Sequence, residues 1–200
     1  MKSYLAGIFI IVLLGLFSSL EAQTPVQVND GIKVEVNFDT QQTPDFQAGN
    51  VDAKKIPNPR DWLEVEVQFE PEVAPRKAIV PKIMLRYYVA IESENGTKVI
   101  TGDVNHVNVL GDEDNFSVAY VSPSMLSKIT GEHKGFQSSS VKGAAVEVFF
   151  NGVSKGGASA SGSPSGRWWE KVPNEAGVLS KDKTPFALLW IDRYADIESN

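Results

Sequence analysis

The residues that could do chemistry are few and poorly matched to one another. Gly152-Val153-Ser154-Lys155-Gly156 fits the G-x-S-x-G pattern of a nucleophile elbow. Such an elbow works because a buried strand turns sharply into a helix and lifts its serine to the end of a sheet. Here the pattern follows an Asn-Gly turn and runs into a Gly, Ser and Ala tract with no helical pattern behind it. Both histidines, His106 and His133, precede Ser154 in the chain, the reverse of the hydrolase order. They also lack the H-x-x-x-H spacing that brings two imidazoles to one zinc ion. His106, among Asp103, Asn105 and Asn108, reads as the polar face of a strand, and His133 as a solvated loop residue. Asp112-Glu113-Asp114 offers the oxygens that calcium takes, but without the D-x-D-x-D-G loop, and reads as a solvated turn. No spacing singles out the facing carboxylates a glycosidase needs. The expectation is therefore no catalytic residue, no metal and no cofactor.

Trp168-Trp169 is the more interesting pair. An exposed indole stacks on sugars, so Trp168 and Trp169 are the candidate ligand-binding residues. They carry the alternative functional reading, a carbohydrate-binding β-sandwich module. Neighbours on a strand point to opposite faces, so at most one of the two can be exposed while the other is core. Packing of both is the simpler reading. Trp62 and Trp190 read as core residues. Asn95-Gly96-Thr97 and Asn115-Phe116-Ser117 fit the glycosylation sequon, and the first serves equally as a turn.

The elements that must hold these residues are mostly strands. Ile32, Val34, Val36 and Phe38 alternate with polar residues, as do Leu63, Val65, Val67 and Phe69, the period of half-buried strands. Between them Thr40 to Arg60 has no periodicity and reads as a long loop. Ile83 to Ile91 is a third strand, and Asn95-Gly96 turns it back. The return strand runs from Lys98, with a kink expected at Gly102, through Val104–Val109. Phe116 to Val121 is short and alternating. Ser122, Pro123 and Gly131 have the types of an N-cap, a first helical residue and a stop, which predicts a helix over Pro123–Thr130. Val146 to Phe150 leads into the turn Asn151-Gly152, Ser154 to Gly166 reads as flexible, and Phe186 to Ile191 reads as a central strand covered on both faces. Short strands at this spacing predict a mainly β fold, an immunoglobulin-like β-sandwich with one short helix and a long N-terminal loop.

The first residues predict an address. Lys2 precedes an apolar run from Leu5 to Phe17, followed by Ser18, Ser19 and Ala22, the order of a secretory signal peptide. The run is about 13 residues where a membrane span takes about 20. Residues 1–22 are thus expected to be a leader cut after Ala22, and residues 23–200 one β-sandwich domain, with no stable membrane span once the leader is gone. The chain has no cysteine, which excludes disulfides, thiol catalysis, thiolate metal sites and a lipid-modified leader. Gly15 and Glu21 superficially fit the cut site of a type IV prepilin, but no apolar helix follows them. The net charge of −6 repels phosphate backbones, and no basic run with interleaved aromatics offers a nucleic-acid site.

The chain beyond the leader resembles a family of bacterial pilus-like proteins. These are exported, immunoglobulin-like and encoded beside type IV-like pilus genes. The resemblance lies in the Ile32–Phe38 strand, Asp61-Trp62-Leu63-Glu64-Val65-Glu66-Val67, the Lys82 to Ile91 segment, the Ser122-Pro123 helix start and Phe186-Ala187-Leu188-Leu189-Trp190. It implies a non-enzymatic structural or adhesion protein, pilus-associated or on the cell surface. Its partners would be proteins such as pilus components, and its address the periplasm, outer surface or extracellular space. The assembly helix that true pilins retain has no counterpart, so an accessory role is implied rather than polymerisation. Exposed strand edges, which offer unpaired backbone groups, are the expected contact sites.

Overall fold

Alternating side chains build two sheets that share one core. The computed structural model describes residues 25–46, 57–132 and 136–198. The predicted leader with its cut site, His133 and the middle of the Thr40–Arg60 loop lie outside the described residues. The strands are β1 (Gln27–Val28), β2 (Lys33–Gln42), β3 (Asp61–Glu70), β4 (Val73–Ala74), β5 (Ile79–Ser93), β6 (Gly96–Leu110) and β7 (Asn115–Val121). Helix α1 (Pro123–Thr130) follows, then β8 (Val141–Phe150), β9 (Val153–Ser159), β10 (Asn174–Ala176) and β11 (Val178–Ser180). One sheet has the order β11-β7-β3-β2 and the other β10-β6-β5-β8-β9, with β1 and β4 forming a small ribbon. Leu63, Val65, Val67 and Phe69 of β3 face Ile83, Leu85, Tyr87 and Val89 of β5 in a continuous buried cluster. The architecture is a β-sandwich, as the alternation predicts.

Several local signals act as their residue types require. The Ser122 hydroxyl accepts a hydrogen bond from the Met125 N–H (3.2 Å), Pro123 opens α1, and Gly131 closes it at φ 77°. Leu126 and Ile129 are the buried face that docks the helix on the sandwich. Asn151 and Gly152 both have positive φ, 49° and 79°, the tight turn whose twist suits a hairpin. That hairpin directs the chain back along β8, so Val153–Ser159 is strand and not flexible linker.

Other expectations need correction. Phe186 to Ile191 is not a central strand but a series of turns followed by a 3-10 turn at Ile191–Arg193. The inner positions of the four-stranded sheet are already held by β3 and β7, so this apolar run lies outside the sheet. Phe186 alone is buried, stacked on Tyr120 at 4.4 Å, while Leu188, Trp190 and Ile191 are exposed. Trp190 is therefore not core. Gly102 makes no break in β6, which runs unbroken to Leu110. Its missing side chain instead admits Val178, whose carbonyl oxygen lies 2.2 Å from where a Cβ would stand.

Candidate interaction edge

The sandwich has two open flanks, and the chain treats them differently. On the first flank β6 and β7 would be the edges, and residues 174–198 cover both. Residues 174–180 cross between the sheets. β10 pairs parallel with Val99–Thr101 of β6, the Gly177 N–H donates to the Thr101 carbonyl (3.0 Å), and β11 pairs with Ala119–Val121 of β7. Further along, the Ala195 N–H donates to the Phe116 carbonyl (2.9 Å). The Val107 N–H donates to the Asp196 carbonyl (3.0 Å), and the Glu198 N–H to the Asn105 carbonyl (2.9 Å). The same segment is anchored on the outer face of the four-stranded sheet. Arg193 forks onto the Glu66 carboxylate (2.6 and 3.0 Å), which also accepts from the Tyr194 hydroxyl (2.7 Å).

His106 is part of this closure. It is buried, not on a polar surface, and lies against Phe69 at 6.1 Å between centroids. Nδ1 faces the carbonyls of Ala195 (3.1 Å) and Asp196 (3.2 Å) and so must carry the proton. Nε2 then accepts from the Ser117 hydroxyl (2.6 Å), which in turn accepts from the Tyr87 hydroxyl (2.5 Å). Desolvation by burial pushes His106 below the ordinary histidine value, against the two carbonyls that favour its charged form. The Ser117–His106 contact has the spacing of a nucleophile and its base, but Ser117 is fully buried. The pair pins the C-terminal segment; no substrate can reach it.

On the second flank stand β2 and β9. β9 is short and carries a bulge at Lys155. The Lys155 carbonyl accepts the N–H groups of Gly31 (2.7 Å) and Ile32 (3.0 Å). Gly156 permits the approach, since a Cβ there would meet the Ile32 oxygen at 2.9 Å. Beyond this stitch β2 has a single ladder partner among the described residues, β3.

The direction of each β2 backbone group follows from its two ends. At one end Ile32 turns its N–H toward β9, away from β3. At the other the Thr43 N–H donates to the Arg60 carbonyl (3.3 Å), which places Thr43 on the bonding side toward β3. Strand backbone groups alternate, so odd-numbered residues bond to β3 and even-numbered ones point outward. The Thr40 N–H is taken by the Asp39 carboxylate (2.7 Å). Among the described residues Val34, Val36 and Phe38 therefore present a row of backbone groups without a partner.

The other sequence candidates are placed plainly. Trp168 and Trp169 lie on a 3-10 turn rather than a strand, so the strand rule of opposite faces does not govern them. Both are buried, 7% and 5% exposed, and meet edge to face at 5.5 Å. Trp169 stacks on Tyr88 (5.3 Å), and its Nε1–H donates to the Glu147 carboxylate (3.2 Å), which also accepts from the Tyr88 hydroxyl (2.8 Å) and pairs with Arg167. The pair seals the outer face of the five-stranded sheet and offers no open platform for a sugar ring. Ser154 sits on the exposed β9, with no helix after it. The Asp112 carboxylate accepts the Val73 (3.1 Å) and Lys77 (2.8 Å) N–H groups, which hold it below the usual carboxylate range. It brackets the connection into β5 instead of lying free in solvent. Asn115 is buried, its amide donating to the Leu110 and Glu113 carbonyls (2.9 Å each), a turn lock in place of an open sequon. Trp62 is half-buried and meets Phe186 edge to face at 5.7 Å. Among the described residues no three His, Cys, Asp or Glu side chains converge to hold a metal ion, and no helix is long and apolar enough to cross a membrane.

A protein-family model matches residues 22–200. The chain belongs to that family. The family's span takes in β2 as well as the C-terminal segment that closes the opposite flank. Among solved structures, a crystal structure of a protein from Akkermansia muciniphila is similar at 26% identity and a TM-score of 0.67, covering 87% of this chain and 99% of that one. No curated protein matches.

Residue-by-residue reading missed what distinguishes β2. Its side-chain pattern is visible in the sequence, but its edge position and the outward set Val34, Val36 and Phe38 depend on contacts with residues 43, 60 and 155. Glu147, the carboxylate under the tryptophan pair, carried no signal beyond an acidic residue inside an apolar strand.

Proposed function

We propose that this is an exported, non-enzymatic structural protein associated with a pilus or the cell surface, working through contacts with other proteins. The immunoglobulin-like sandwich is its scaffold, residues 1–22 its export leader and residues 23–200 its single domain. The observation that carries the reading is the contrast between the flanks. A chain that covers two edges with its own C-terminal segment leaves a ten-residue strand, Lys33–Gln42, with β3 on one side and no second ladder partner among the described residues. Open edges invite strand pairing and are usually blunted unless they have a use. The resemblance to pilus-like proteins supports the surface setting, and the similarity to the Akkermansia muciniphila structure supports the scaffold. The burial of Trp168 and Trp169 weighs against the carbohydrate-binding alternative.

The test is a tagged chain expressed in its own host, cross-linked mildly and fractionated. The reading predicts a mature N-terminus after Ala22, recovery in the envelope or outside the cell, and co-purification with envelope or pilus proteins. An unprocessed chain in the cytoplasm with no such partner contradicts it.

A further inference from the structure

The open edge has a chemistry of its own. Along β2 the side chains of Val34, Val36 and Phe38 point to the core, with Val34 and Phe38 only half covered at the rim. Glu35, Asn37 and Asp39 are exposed on the opposite, outer face. Register sets Asp39 directly beside Glu64 of β3 and Asn37 beside Glu66, and like charges in facing positions destabilise a strand pair. The neighbouring carboxylates are neutralised internally: Glu66 by Arg193, and Glu70 by Lys33 at 2.9 Å. Among the described residues Glu35, Asp39 and Glu64 have no ion-pair partner. Burial, with smaller contributions from Glu66 and Asp39, holds the Glu64 carboxyl above its ordinary range despite the Tyr120 hydroxyl that bonds it. A groove of about 250 Å³ runs here between Asn37, Phe38, Asp39, Glu64 and Glu66.

We propose that β2 accepts, as a fifth strand of the four-stranded sheet, an extended segment of a partner protein that alternates apolar and cationic side chains. This rests on the interaction reading above and names its partner class. The outward groups of Val34, Val36 and Phe38 supply the backbone bonds. Alternation sends every second side chain of the incoming strand to the rim beside Val34 and Phe38, where apolar residues fit. The intervening side chains come to lie beside Glu35 and Asp39, where lysine or arginine removes an uncompensated negative charge. The same charges act against a second copy of this chain. Pairing β2 with β2 brings Glu35 and Asp39 of one molecule against those of the other, so the acidic face keeps copies apart while admitting a basic strand.

The probe is a fluorescein-labelled nonapeptide of alternating valine and lysine, titrated with the purified protein and followed by anisotropy, beside a valine–glutamate peptide of equal length. The lysine peptide is expected to bind saturably and more weakly as salt rises, and the glutamate peptide not to bind. Glu35→Lys lowers the affinity by about tenfold. Val34→Pro keeps every charge and every bond to β3, removes one outward N–H, and lowers the affinity to a similar extent. Unchanged binding in Val34→Pro reduces the interaction to charge attraction and overturns the proposal, as does equal binding of the two peptides. Amide exchange on the native protein needs no variant: added lysine peptide slows exchange at Val34, Val36 or Phe38, and no slowing there overturns it too. Peptide binding by a protein that is not at the cell surface sinks the pilus reading alone. Surface association without peptide binding sinks this inference alone.

Discussion

The two flanks of the sandwich are built from similar strands and end in opposite states. β6 and β7 are shut by residues 174–180 at one end and 195–198 at the other, with Gly102 leaving room for the crossing chain and His106 pinning its tail. Among the described residues β2 is stitched at Ile32 and then left with backbone groups pointing outward. Sealing an edge takes sequence: the closed flank uses residues 174–180 and 195–198. Among the described residues nothing comparable covers the second side, where an acidic face lies beside β2.

The largest expected effect comes from unsealing the closed flank. Phe186 is buried against Tyr120 and Trp62, so Phe186→Ala should cost about 3–5 kcal/mol of unfolding free energy in urea. It should also raise protease cleavage in residues 181–198. A loss confined to surface-mutation size, below about 0.5 kcal/mol, removes that segment from the fold's supports. Gly102→Ala puts a methyl group against the Val178 carbonyl and is expected to cost about 1–3 kcal/mol as the crossing strand shifts.

Proline sharpens the comparison on the open side. Glu35 bonds into the ladder and Val34 does not, so Glu35→Pro loses a strand hydrogen bond and suffers a backbone clash, costing about 2–3 kcal/mol. Val34→Pro removes an outward N–H and is expected to cost under about 1 kcal/mol. The reverse order of the two melting temperatures refutes the assigned parity.

The pH dependence is the subtlest of these effects. His106 is held neutral in the native state, while in the unfolded chain it takes up a proton near about 6.5. The unfolded chain therefore binds more protons as pH falls through that value, and stability declines toward acid and recovers toward neutral pH. In His106→Gln the part of this slope that begins near pH 6.5 should vanish in urea titrations at several pH values. Persistence of the full slope assigns it to other groups.

The sequence carried some of this architecture legibly and hid the rest for physical reasons. Ser122, Pro123 and Gly131 specify α1 through local backbone chemistry, and Asn151-Gly152 specifies its turn the same way, whereas the β5–β6 turn falls on Glu94 and Asn95, with Gly96 already paired to Ser93. The β3 alternation needs only a buried face. By contrast Phe186 to Trp190 is apolar because Phe186 must reach Tyr120, and a short apolar run looks alike whether it lies in a sheet or across one. Trp168 and Trp169 share a side because a 3-10 turn, not a strand, carries them. The free edge of β2 was expected only as a kind of site. Its location is a long-range property, fixed by where residues 155 and 174–198 settle.

Amide hydrogen exchange read residue by residue tests the central contrast most directly. Along β2 the account predicts fast exchange at Val34, Val36 and Phe38 interleaved with slow exchange at Glu35, Asn37 and Asp39, and on the other flank slow exchange at Val107, Gly177 and Ala195. Uniform protection along β2, or rapid exchange at those three closed-flank amides, contradicts it.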